Sequence, residues 1–161
     1  MGPDGNRAAG RFERGCRSFV LEQKGQIVAY AWLSTSPEWI GELSLSIAPQ
    51  AGEAYVWNCV TLEPYRRRGN YRGLLNGLIL QASADGLQRL WIGSVEDPAE
   101  KADADAGFAP VLHLEVTRVT GLRLLRALPV PGAPPGLVDE ARARLGLRGS
   151  RTLGIARQRI H

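Results

Sequence analysis

Cysteine is scarce. Cys16 and Cys59 are the only two in 161 residues, which excludes a disulfide framework and leaves no metal-binding set. Cys59 lies in a strand-like apolar run and reads as a small buried side chain. Histidine is as rare: His113 falls in an alternating strand and His161 is terminal. No Ser-His-Asp set, zinc spacing or nucleotide P-loop can be assembled from these residues. No apolar run approaches the roughly 18–20 residues that a membrane-spanning helix needs. The start of the chain, Met1 to Arg7, is polar and lacks the apolar core of a signal peptide. These absences lead to the expectation of a cytoplasmic protein with no membrane partner. Its length is that of one domain with one sizeable core.

Arginine is what the chain has in plenty. Lys and Arg number 20 against 16 Asp and Glu, for a net charge of +4, which favours an anionic ligand or partner without naming it. The charge gathers in Val60-Thr61-Leu62-Glu63-Pro64-Tyr65-Arg66-Arg67-Arg68-Gly69-Asn70-Tyr71-Arg72. Upstream, Ala54 to Leu62 is rich in β-branched and aromatic residues, as a central strand would be. Downstream, Leu74, Leu75, Leu78, Ile79 and Ala82 form one apolar stripe of a helix ending near Asp85-Gly86. Three arginines therefore stand where a helix begins. A helix N-terminus carries about half a positive charge and unpaired N–H donors, and arginine adds forked donors suited to phosphate. The stretch reads as a diphosphate cradle.

The remaining elements follow in order. Residues 1–15 show no clear period, and the first several are expected to be mobile. Ser18–Glu22 and Gln26–Leu33 read as strands joined by a Lys24-Gly25 hairpin turn. Leu43–Ile47 alternates like a half-exposed strand. Leu90–Ile92 opens a strand running toward Val95, and Asp97-Pro98 starts a helix that runs to Gly107. Phe108 to Val119 reads as a hairpin pair broken near Pro110, and Pro129 to Gly136 as a stiff linker. Leu137–Leu147 suits a short helix, followed by a basic tail. This order predicts an α+β fold: a mixed, mostly antiparallel sheet splayed between two central parallel strands, with helices on its faces. The expected domain spans residues 1–128 with its core at 18–119, and 129–161 forms a basic extension.

A strand, a proline, an aromatic-Arg-x-x-Gly turn and a helix with paired leucines resemble the first signature of the GCN5-related N-acetyltransferase (GNAT) superfamily, whose fold is the acyl-CoA N-acyltransferase fold. The helix closing in Gly107-Phe108 resembles the second signature. The match covers roughly residues 18–119. The resemblance implies acetyl-CoA as co-substrate. Backbone groups of Val60 and Leu62 would pair with its pantetheine arm, and the N–H groups of Arg67, Arg68, Gly69, Asn70, Tyr71 and Arg72 would hold its pyrophosphate. Asp97 would stand near the cofactor where the family often has Asn.

The chain departs from the family in several ways. Tyr71 replaces the small residue expected two after Gly69, and Pro64 sits one residue closer to that glycine. Fewer residues precede the hairpin than the family's first strand and two helices need, a shortened N-terminus. The acceptor site would then be open or be completed by a second chain, as in a homodimer. Gly93 aligns where many members carry a catalytic Glu, and Asp103, Ala104 and Asp105 fall where a Tyr acid is expected. Substitute groups are Glu53, Asn58 and Glu96. Each also has an ordinary structural role: a strand-end charge, a buried amide and a helix-start acid. Tyr55 and Trp57 suit packing or a pocket wall.

The implied activity is direct transfer of an acetyl group from acetyl-CoA to a primary amine of a small molecule or peptide. The missing Glu and Tyr motivate an alternative, a catalytically weak or inactive CoA-binding domain used in sensing or assembly. Nucleic-acid binding through residues 142–159 ranks last, because that segment lacks interleaved aromatics.

Overall fold

The computed structural model describes residues 5–94, 97–119, 122–147 and 154–155. These fall into two compact units, Met1–Pro37 with Pro49–Phe108, and Glu38–Ala48 with Ala109–His161.

The first unit opens with a helix, α1 (Gly5–Glu13), where the sequence had suggested a mobile start. Ala8, Ala9 and Arg11 are good helix formers, and the tertiary contacts of Arg11 and Phe12 described below supply what periodicity did not show. The strands β1 (Arg17–Gln23) and β2 (Gln26–Ser34) pair antiparallel across the Lys24-Gly25 turn. A long strand, β5 (Glu53–Thr61), lies antiparallel to β2 on its other side. A 3-10 turn over Glu63–Tyr65 leads to helix α2 (Asn70–Ala84), which crosses over to strand β6 (Arg89–Ile92), parallel to β5. Helix α3 (Asp97–Asp105) closes the unit. The sheet order is β1-β2-β5-β6.

Small residues explain why α2 packs where it does. Ala29, Ala31 and Leu33 of β2, with Ala54 and Val56 of β5, form one buried face against Leu74, Leu75, Leu78 and Ala82 of α2. Three alanines on the sheet let the leucines approach the strands closely. Leu90, Ile92, Ala106 and Phe108 extend the same core. All four helices of the described residues end in one device. The N–H of Cys16, Leu87, Phe108 or Leu147 reaches back five residues, and the preceding glycine has positive φ. This is the Schellman stop, and it places a hydrophobic residue just after each glycine.

In the second unit, β3 (Glu38–Ile40) pairs with β4 (Leu45–Ile47). The strand β7 (Leu112–Val119) pairs along its whole length with β8 (Leu122–Pro129), and β9 (Gly154–Ile155) adds to β8. The hairpin expected within 108–119 is thus one strand, whose partner comes later in the chain. The expected linker contributes the end of β8, a turn and the start of α4 (Pro135–Arg144). Proline at the first helical position needs no N–H there, so the Pro-rich segment starts this helix. Most of the basic tail, residues 148–153 and 156–161, lies outside the described residues. No helix is long and apolar enough to cross a membrane among the described residues.

Core packing predicts a contrast on one helix. Leu75 is fully buried and Leu80 is exposed, so Leu75→Ala should lower unfolding free energy by about 2–5 kcal/mol. Leu80→Ala should change it by less than about 0.5 kcal/mol, as read from denaturant midpoints at constant slope.

Candidate functional site

The parallel ladder between β5 and β6 is short. It joins Glu53 to Arg89, Ala54 to Leu90, Tyr55 to Trp91 and Val56 to Ile92, and stops there, although β5 continues to Thr61. Just past the stop, the β2 register shifts: Tyr30 faces Val60 but Trp32 faces Trp57. Asn58 and Cys59 together oppose Ala31, and Asn58 takes φ +47, so this is a bulge. A bulge turns backbone groups out of the ladder and bends its strand. Here β5 runs on past the last parallel pair, Val56 with Ile92, and the gap beside β6 beyond that pair is the cleft.

The edge of that cleft differs from the sequence expectation. The amide of Leu62 donates to the Val28 carbonyl at 2.9 Å, so it faces β2. Alternation along an antiparallel strand turns Val60 the same way. Cys59 and Thr61 therefore present their backbone to the cleft, in place of Val60 and Leu62. One extra residue at the bulge shifts the alternation, which a one-dimensional motif does not reveal. The Thr61 hydroxyl is buried without a hydrogen-bond partner.

The basic turn lies at the end of β5. Gly69 caps α2 with φ +76, and no side chain bonds to the helix start. Among the described residues, the N–H groups of Arg67, Arg68, Gly69, Asn70, Tyr71 and Arg72 have no acceptor. Arg67, also at positive φ, Arg68 and Arg72 are exposed and unpaired with any carboxylate among the described residues. The turn is held from behind. The Asn70 side chain donates to the Tyr65 carbonyl at 2.9 Å and accepts from Gln23 at 2.7 Å, Tyr65 donates to Gln26 at 2.7 Å, and Arg66 Nε donates to the Thr61 carbonyl at 3.1 Å. Its donors are fixed and meet no acceptor among the described residues, which suits a polyanion.

Tyr71 points away from these donors. Its hydroxyl donates to Asp103 of α3 at 2.7 Å, and the Ser94 hydroxyl donates to the other oxygen of the same carboxylate. Cys59 completes the cluster. Burial, and then the Asp103 charge, push its thiol up to about 12, against a smaller lowering effect of the nearby Tyr71 hydroxyl. Burial also raises the Tyr71 phenol above its usual range. The Asp103 carboxyl is raised by burial despite the two hydroxyls that favour its charge. An aromatic residue at 71 and an acid at 103, each a departure from the family pattern, thus meet as partners.

Of the three acid–base candidates, Glu53 is an anchor. Its buried carboxylate accepts from the Gln50 amide and the Trp91 indole, both at 3.0 Å, with Arg89 at 3.7 Å, and so ties the starts of β5 and β6 together. That set of partners leaves it no role as a free base. Asn58 is the bulge residue, and Glu96 lies outside the described residues. Asp97 begins the backbone of α3. His113 is exposed on β7. At Gly93, a Cβ would lie 3.4 Å from the Tyr55 hydroxyl, so that hydroxyl borders the space a Gly93 side chain would use. The sequence offered Tyr55 only as packing or pocket wall. The alternation that puts it beside Gly93 depends on the parallel register.

A bulged central strand, a cleft at a parallel pair and a donor-lined turn at the crossover helix define the acyl-CoA N-acyltransferase fold. The chain belongs to the GNAT family: the model of the Acetyltransferase (GNAT) family matches residues 3–105. Among solved structures, a candidate acetyltransferase from Agrobacterium tumefaciens str. C58 is 25% identical, with 68% of this chain and 73% of that one covered and a TM-score of 0.51. The aminoglycoside N-acetyltransferase AAC(6')-Iy, solved with the bisubstrate analogue CoA-S-monomethyl-acetylneamine, is 17% identical over 73% of this chain and 78% of its own, with a TM-score of 0.51. That likeness is one of fold. No curated protein matches the sequence.

Asp103 gives a pH prediction. A carboxyl raised in the folded state favours folding while protonated. Its destabilising charge is absent below the ordinary carboxylate range and full above the raised value. The stability of Asp103→Asn relative to the native chain should therefore improve as pH rises from 4 to 7. Melting temperatures of both proteins across that range provide the check; a constant difference would refute it.

Proposed function

We propose that this protein transfers an acetyl group from acetyl-CoA directly to a primary amine of a small molecule or peptide. The observation that carries this reading is the set of unpaired N–H groups from Arg67 to Arg72, flanked by exposed arginines and opening beside the β5–β6 cleft. These groups would hold the pyrophosphate of acetyl-CoA. The backbone edge at Cys59 and Thr61 would take the pantetheine arm, which pairs as an added strand does. Tyr71, turned toward Asp103, leaves that turn clear.

Bound acetyl-CoA would supply the activated acyl group. The chain's own contributions are positioning, charge stabilisation and proton handling. The bulge at Asn58–Cys59 would turn a backbone N–H toward the cleft, the kind of fixed donor that stabilises a developing oxyanion. A thiol raised to about 12 stays protonated, so Cys59 is a poor nucleophile. That favours direct attack by the amine over an acetyl-cysteine intermediate. Tyr55, bordering Gly93, would hold a water that relays the amine proton.

Calorimetric titration with acetyl-CoA, combined with thiol release over a panel of amines, tests the reading. Saturable binding with thiol release supports it. Binding without turnover on any amine would favour a sensing or assembly role, and absence of binding would remove both. A second titration addresses the cradle. Charge-assisted hydrogen bonds contribute about 1.5–3 kcal/mol, so Arg67→Gln combined with Arg68→Gln should weaken acetyl-CoA binding about tenfold or more. The loss should shrink at high salt. Gly69→Val should also weaken binding, by crowding the approach to the backbone donors, whereas Gly77→Ala on the exposed side of α2 should not.

A further inference from the structure

The face of the first sheet opposite α2 holds a buried cation with no counter-charge among the described residues. Arg11 of α1 is only 9% exposed. Its guanidinium carbon lies 4.8 Å from the Trp32 ring centroid and 4.4 Å from that of Trp57. Phe12 packs on Trp32 with centroids 5.1 Å apart. With the Asn58 amide turned so that its oxygen faces Arg11, that oxygen accepts from Nη1 at 2.8 Å and Nη2 at 3.1 Å. Among the described residues Arg11 has no carboxylate partner. A guanidinium has five N–H groups and does not shed its charge. Cation–π attraction offsets only part of the cost of taking an ion out of water.

A second donor is stranded beside it. The Trp57 indole N–H is buried without a hydrogen-bond partner, although a buried indole normally finds one. Both groups lack the same thing, an acceptor that carries negative charge. They also share a place, because Trp57 and Asn58 are the bulge and its neighbour on β5. The Trp32 and Trp57 rings lie side by side, with centroids 6.3 Å apart and planes tilted by 34°, and the guanidinium carbon lies over both. A planar carboxylate can meet it edge-on through two parallel hydrogen bonds, a fit that a tetrahedral phosphate matches less well.

We infer that Arg11 and the Trp57 N–H recognise a carboxylate on the amine acceptor, so the acceptor class is an amino acid or an amine with a carboxylate close by. The inference rests on the acetyltransferase reading for the word acceptor, but the anion site stands without it. The bulge then serves both substrates: its backbone faces the acyl group, and the Asn58 side chain holds the cation that orients the amine. Polycationic amines would be repelled by Arg11.

Binding is followed by tryptophan fluorescence of the full chain without acetyl-CoA. The probes are pairs of α-amino acids and their carboxamides, which differ only in the anion. The expected result is saturable binding of some acids, with the matching amide at least about tenfold weaker. Arg11→Gln should abolish the discrimination and Arg11→Lys should keep part of it. In turnover with acetyl-CoA, Arg11→Gln should raise KM for the acid with little change in kcat. No discrimination in the native chain, its survival in Arg11→Gln, or a preference for polycations would overturn the inference and leave Arg11 as a clasp for α1. If Arg11→Gln does not fold, Trp57→Phe keeps an aromatic face while removing the N–H. It should weaken acid binding several-fold, and unchanged binding would equally overturn the proposal. Acid discrimination without acetyl-CoA binding would sink the acetyltransferase reading alone; acetyl-CoA turnover without discrimination would sink this one alone.

Discussion

The separation of β5 from β6 is the constraint on which the rest of the first unit depends. Four residue pairs hold the strands parallel, with the Glu53 carboxylate pinning their starts through Trp91 and Arg89. Beyond Val56 the ladder to β6 stops, and the bulge at Asn58 shifts the register of β5 against β2. Without the pin, β5 and β6 would lose their common origin.

The bulge also divides the labour between two faces. Toward α2, Cys59 meets Tyr71, and Tyr71 meets Asp103. Toward α1, Asn58 and Trp57 meet Arg11. A single strand irregularity thus borders a buried thiol, phenol and carboxyl on one side and, among the described residues, a cation without a carboxylate partner on the other. The pairing of Tyr71 with Asp103 shows how two departures from a family pattern become intelligible together. The long side chain at 71 fills the space between α2 and α3, and the acid at 103 satisfies its hydroxyl. A buried carboxylate with two hydroxyl donors costs less than one left bare, yet its raised pKa shows that burial still wins.

Local patterns made much of this legible. The β1–β2 hairpin, the β5 run, the apolar stripe of α2 and the glycine stops of the helices each follow from neighbours within a few residues, so the chain order carries them. The basic turn was legible for the same reason, since Arg66 to Gly69 and the helix start are contiguous. Where partners come from afar, the sequence was silent or misleading. The strand β8 went unassigned because its pairing with β7 is tertiary. Residues 1–15 show no clear period, yet Arg11 and Phe12 of α1 pack on tryptophans from two strands, while the first four residues lie outside the described ones.

The sequence by itself determined the α+β order and the basic turn, because both are written in local periodicity, punctuation and charge, and its two motifs carried the resemblance to the family. Only the tertiary structure decided which backbone groups of β5 face the cleft, because one bulged residue shifts the alternation by a step. It also turned Glu53 from a candidate base into an anchor, and brought Tyr71 to Asp103 and Arg11 to Trp57. Those assignments depend on which side chains meet across 32 to 46 positions of chain, a distance over which hydrophobic pattern says where a residue is buried but not beside what.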